Sequence, residues 1–159
     1  MTKVREQRIE LYGKGHQQLT DALQRFPQEM WDFKPAPDRW SIHEILIHIA
    51  DSDANAYVKC RKLIAQPGQP VNDYNQDIWS KSLDYNGQSI KNALELFMLM
   101  RKTTCILLRN TPDNVWVQAT GYAEDGIVTL DDWLDIYANH VPDHIRQMEK
   151  NYEAWQKQS

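Results

Sequence analysis

Basic charge, cysteine and long apolar runs are all scarce in this 159-residue chain. Eighteen Lys and Arg against 22 Asp and Glu give a net charge of −4, so the whole chain lacks a cationic footprint for nucleic acid. Only two cysteines occur, Cys60 and Cys105, and each falls inside a helical apolar pattern. They read as small core residues, and no disulfide framework is implied. The longest apolar run, Leu96 to Met100, is far too short to span a bilayer. The opening MTKVREQRIE has no apolar segment of the secretory type. A cytoplasmic protein with no membrane partner is the expectation.

Aromatic residues, by contrast, are plentiful. Six Trp and seven Tyr in a chain this short must find burial or line a cleft. Proline and glycine punctuate the rest. Pro27, Pro35 and Pro37 separate a first helical pattern from a second; Pro67, Gly68 and Pro70 follow the second; Pro112, Gly121 and Gly126 precede the last. No repeat or linker divides residues 1–159, so a single domain is expected.

Four long helices emerge. The first spans Lys3 to Gln24, with Val4, Leu11, Leu19, Leu23 and Phe26 on one side and Gly13 and Gly15 weakening its middle. The second opens on an S-x-x-E capping box, Ser41 and Glu44. Ile42, Ile45, Leu46, Ile49, Tyr57, Cys60 and Ile64 form its stripe, and it ends near Ala65. A short helix fits Gln76 to Leu83.

The third runs from Ser89 to Arg109 and is apolar nearly all round at Leu96, Met98, Leu99 and Met100, which suits a central helix or one packed on a second subunit. Val115-Trp116-Val117 and Ile127-Val128 are the strand-like runs. The fourth helix starts at the N-cap Thr129 and contains Pro142, which denies the Ala138 carbonyl its partner and predicts a kink. The fold class is all-α: a four-helix bundle with long loops and a kinked fourth helix.

Two histidines of the last helix, His140 and His144, are four residues apart, so both imidazoles project from one face. His48 lies on the inward edge of the second helix, beside Ile49. Three imidazoles on two neighbouring helices suit one divalent ion and leave open positions for water or substrate. The plain alternative is that these are hydrogen-bonded core histidines. His16 reads as exposed, and His43 as facing elsewhere. Asp51, three residues after His48, is a candidate further ligand or hydrogen-bond partner of the site. Arg146, beside Asp143, is a candidate for an anionic substrate, and Tyr74, Trp79 and Tyr122 are candidate walls.

Trp40-Ser41-Ile42-His43-Glu44-Ile45-Leu46-Ile47-His48 resembles the W-S-x-x-E-x-x-x-H signature of the DinB-like superfamily. His140-Val141-Pro142-Asp143-His144-Ile145-Arg146-Gln147 resembles its H-x-x-x-H-x-x-Q signature. The resemblance implies a four-helix bundle with a three-histidine site for zinc, nickel or a similar ion, carried here by His48, His140 and His144. It implies a homodimer and a small-molecule substrate. It also implies metal-dependent transferase or isomerase chemistry with a low-molecular-weight thiol. The site chemistry itself suits either a thiol transferase, through a metal-bound thiolate, or a hydrolase, through metal-bound water. A catalytically silent metal-binding or stress-response protein, or a helical interaction module, is the competing expectation.

Overall fold

The computed structural model describes residues 1–158. Seven α-helices, two single-turn 3-10 helices and a small sheet occur among them. The first rod of the bundle is two helices, α1 (Lys3–Gly13) and α2 (Gly15–Leu23), rather than one. The other three rods are α3 (Ile42–Ala65), α5 (Ile90–Asn110) and α7 (Leu130–Gln156). Short helices α4 (Gln76–Ser82) and α6 (Asp113–Gln118) lie in the connections. α5 and α7 each pack against both α1 and α3, which places α1 diagonally from α3.

The helix starts follow from side chains that satisfy orphan amides. Ser41 Oγ accepts from Glu44 N at 3.2 Å while Glu44 Oε2 accepts from Ser41 N at 2.9 Å. Thr129 and Asp132 make the same reciprocal pair at the head of α7. Pro142 does not end α7, whose helical assignment runs through it.

The three strands are β1 (Gln69–Pro70), β2 (Thr120–Ala123) and β3 (Gly126–Thr129). β2 and β3 form an antiparallel hairpin, and β1 adds to β2 in parallel. A Cβ on Gly121 would lie 3.0 Å from the Gln69 carbonyl oxygen, so glycine permits this close approach. Val115-Trp116-Val117 is helical, within α6, not a strand. Proline at 112 and Asp113 in the first turn begin a helix there, and Trp116 is buried.

The inner faces also differ from the simple periodic reading. Val4 is exposed and Leu11 only half-buried; Ile9 and Tyr12 are the buried residues of α1. On α3, Tyr57 and Ile64 sit at the edge, whereas Asp53 and Leu63 are buried. Asp53 is inside because Arg101 is inside. Arg101 Nε donates to Asp53 Oδ1 at 2.9 Å and Nη2 to Oδ2 at 3.2 Å. Nη1 also donates to the Tyr12 carbonyl (2.8 Å) and Nη2 to the Tyr137 carbonyl (2.9 Å). One guanidinium therefore ties α1, α3, α5 and α7 together.

Gly15 belongs to this arrangement: a Cβ there would lie 2.4 Å from Arg101 Nη1. α5 is not a central helix, because Leu96, Leu99 and Ile106 on its outer face are exposed. No helix is long and apolar enough to cross a membrane among the described residues.

Replacing Asp53 with Asn leaves the Arg101 charge buried without its counter-ion. Urea denaturation should show a loss of about 3–5 kcal/mol. Gly15→Ala, which pushes on the same guanidinium, should destabilise in the same direction.

Candidate metal centre

His48 enters the interior from the second turn of α3, with only 2% of its surface exposed. His140 and His144 descend the facing side of α7, both half-buried. One ring nitrogen from each of the three lies within 4.8 Å of the others, and no carboxylate shares the group. The His48 ring centroid is 5.5 Å from that of His140 and 4.9 Å from that of His144.

The ring nitrogens divide by role. His48 Nδ1 lies 3.1 Å from the Tyr74 hydroxyl, and His144 Nδ1 lies 3.0 Å from Gln147 Oε1. Both rings therefore turn Nε2 toward the cluster. The Nε2 atoms of His140 and His144 are 3.1 Å apart. Two imidazole nitrogens bound at about 2.0–2.1 Å to one tetrahedral ion are separated by about 3.3 Å. His140 Nδ1 is buried with no hydrogen-bond partner among the described residues.

Electrostatics hold the three rings neutral. Burial pushes His48 down to about 3, with the nearby His144 adding to the effect. Burial, then the charges of His144, His48 and Arg101, push His140 down to about 2. His144 is also lowered, chiefly by burial, against the opposing pull of Gln147 and Asp143. A neutral imidazole with a free Nε2 lone pair is the metal-binding form. The donor set therefore fits a borderline cation such as zinc or nickel.

The surroundings are aromatic and polar. The Trp40 ring packs 4.6 Å from His48, and the buried Asn151 of α7 donates to the Trp40 carbonyl at 2.8 Å. A cleft of ≈ 260 Å³ opens beside His144 and Gln147, bounded by Asp38, Arg39, Trp40, Gln76 and Asp77. A larger groove, ≈ 570 Å³, runs between α1 and α5 past Lys14, Met98 and Lys102, away from the histidines. Chemistry, rather than size, marks the smaller cleft as the site.

Several sequence candidates fall elsewhere. Asp51 is not in the cluster; its carboxylate accepts from the Tyr85 hydroxyl at 2.7 Å, and burial raises its pKa. Arg146 pairs with Asp143 on the exposed face of α7 and does not meet the cleft. Tyr122 is exposed on β2 and forms no wall. His16 is half-buried near the Phe97 ring rather than exposed. His43 is bound between Asp32 Oδ1 and the Gln88 carbonyl, both at 3.0 Å, outside the cluster. Trp79 packs on Tyr74 at 4.6 Å. Sequence reasoning gave no signal for the direct Tyr74–His48 contact, because it joins a loop to a helix.

The sequence profile of the DinB superfamily matches residues 12–148, and the chain belongs to that superfamily. Two curated relatives both carry the name "putative metal-dependent hydrolase". The one from Oceanobacillus iheyensis is 27% identical over 106 residues, covering 67% of this chain and 61% of the relative. YfiT of Bacillus subtilis is 23% identical over 107 residues, covering 67% and 60%. The matched part of the chain thus spans about three fifths of the length of these relatives. The solved structure of YfiT, described as a probable metal-dependent hydrolase with an unusual four-helix bundle topology, superimposes with a TM-score of 0.87. It is 20% identical, and the match covers 98% of this chain and 90% of YfiT. At that identity the likeness establishes the bundle fold.

Acid should weaken the metal-free protein. An unfolded histidine takes its proton near 6.5, whereas folded His48 resists until about 3. The stability these neutral rings contribute is whole above pH ~6.5 and is lost as pH falls toward 3. The loss has a limiting slope of about 1.4 kcal/mol per pH unit for each such ring. Urea midpoints at pH 7.5 and pH 5 should differ in that direction; equal midpoints would contradict the buried neutral assignment.

Proposed function

We propose that this protein is a metal-dependent hydrolase acting on a small-molecule substrate, with His48, His140 and His144 holding one divalent ion. The observation that carries the reading is the convergence of three neutral imidazole nitrogens within 4.8 Å beside an open cleft. Zinc or nickel on such a set supplies Lewis acidity, lowering the pKa of water toward about 7 and polarising a carbonyl or phosphoryl oxygen.

The chain's own residues do the positioning. Gln147 fixes the ring of His144, Trp40 closes one side of His48, and the Asn151–Trp40 hydrogen bond holds the entry to α3 against α7. Three protein donors and an adjoining cleft leave room for water and substrate, as a catalytic rather than a closed structural site requires. The names of the relatives favour hydrolysis over thiol transfer. The exposed Leu96, Leu99 and Ile106 on α5 support pairing of two copies through that face.

Elemental analysis of tag-free protein should find about one equivalent of transition metal per chain. His48→Ala, His140→Ala and His144→Ala should each lose most of it, while His16→Ala and His43→Ala keep it. Ester, amide and phosphoester probes should then be hydrolysed by the loaded protein and spared after chelation. No uptake by the wild type, or a full equivalent in all three site variants, would overturn the reading.

A further inference from the structure

The segment between α3 and α4 reaches back over the site, and Tyr74 is its point of contact. We propose that Tyr74 is a positioning residue for the metal centre: its hydroxyl oxygen accepts from His48 Nδ1–H, so that His48 presents Nε2 to His140 and His144. The proposal rests on reading the three histidines as ligands.

The direction of this one hydrogen bond decides whether His48 can serve at all. A neutral imidazole has one protonated and one unprotonated nitrogen. If the Tyr74 hydroxyl donated to Nδ1, Nε2 would carry the proton and could not bind a metal. If it accepts, Nε2 is free. Metal binding at Nε2 needs the second case, and the 3.1 Å contact between His48 Nδ1 and the Tyr74 hydroxyl supplies the acceptor for Nδ1–H. The bond from His48 Nδ1–H to Tyr74 Oη then leaves the Nε2 lone pair facing His140 and His144.

Tyr74 is also held in place from both sides. Val71 is buried and donates to the Tyr122 carbonyl at 2.9 Å, and Lys59 Nζ reaches Asp73 at 2.7 Å. After it, Asn75 caps α4 by accepting from Ile78 N at 2.9 Å, and Trp79 of α4 packs on the Tyr74 ring. His48 is thereby flanked by Trp40 on one side and Tyr74 on the other.

The test compares wild type, Tyr74→Phe and Tyr122→Phe. Phenylalanine keeps the ring against Trp79 and removes only the hydroxyl. Zinc affinity, by competition with a chromophoric chelator, should fall about 10–100-fold in Tyr74→Phe and stay unchanged in Tyr122→Phe. The cobalt(II) absorption spectrum should change with Tyr74→Phe while the circular dichroism and Tm of the two variants stay comparable. In metal-free wild type, two-bond ¹⁵N–¹H correlations should show His48 protonated at Nδ1. A wild type that binds no zinc defeats the ligand reading and this proposal with it. A wild type that binds zinc beside a Tyr74→Phe variant of equal affinity and identical cobalt spectrum defeats the positioning role alone. Should Tyr74→Phe fail to fold, the wild-type tautomer decides: Nδ1–H supports the role, and Nε2–H overturns it.

Discussion

Arg101 and Asp53 meet at the centre of the bundle with side-chain exposures of 1% and 0%. An arginine there without a partner would be an uncompensated buried charge, at a cost of several kcal/mol. The carboxylate neutralises it, and two backbone carbonyls accept two further hydrogen bonds. The guanidinium also lies over the rings of Tyr12 and Phe97, at 4.2 and 4.7 Å. This geometry is demanding. It requires glycine at 15 and α7 close enough to offer the Tyr137 carbonyl. That carbonyl belongs to the turn just before Pro142, where Ala138 has lost its usual amide partner. The pair therefore sets how α3 and α7 face each other, and with it the separation of His48 from His140 and His144.

A second constraint acts at the rim. β1 joins the segment carrying Tyr74 to the hairpin that leads into α7. The loop over His48 and the helix bearing the other two histidines thus share one small sheet. Arg5 and Arg8 of α1 pair with Asp131 and Asp135 near the start of α7, fixing the same end from the opposite side. These exposed or half-exposed pairs orient more than they stabilise.

Much of the frame was legible in the amino-acid order. Ser41 with Glu44, and Thr129 as an N-cap, mark helix starts because capping is local chemistry. The His140–His144 spacing places two rings on one face for the same reason, and the structure brings His48 to them. What escaped was non-local or contrary to pattern. Asp53 and Arg101 gave no sequence signal, since nothing in either helix reveals that the other is its partner. Val115-Trp116-Val117 has strand propensity, yet Pro112 and the burial of Trp116 win out in a six-residue helix. Leu11 and Tyr57 fit an apolar period yet are only half-buried, while Ile9, Tyr12 and Asp53 face the interior. Tyr74 lies in an aperiodic loop, where spacing carries no information on contacts.

The Trp40 indole, 4.6 Å from the His48 ring, has an optical consequence. An ion with a partly filled d shell bound at His48 would sit close enough to drain the indole's excited state. Zinc, with its filled shell, would leave the emission largely intact. The native chain thus carries a fluorophore beside the site that separates these two classes of ion, with no label attached and no substrate needed.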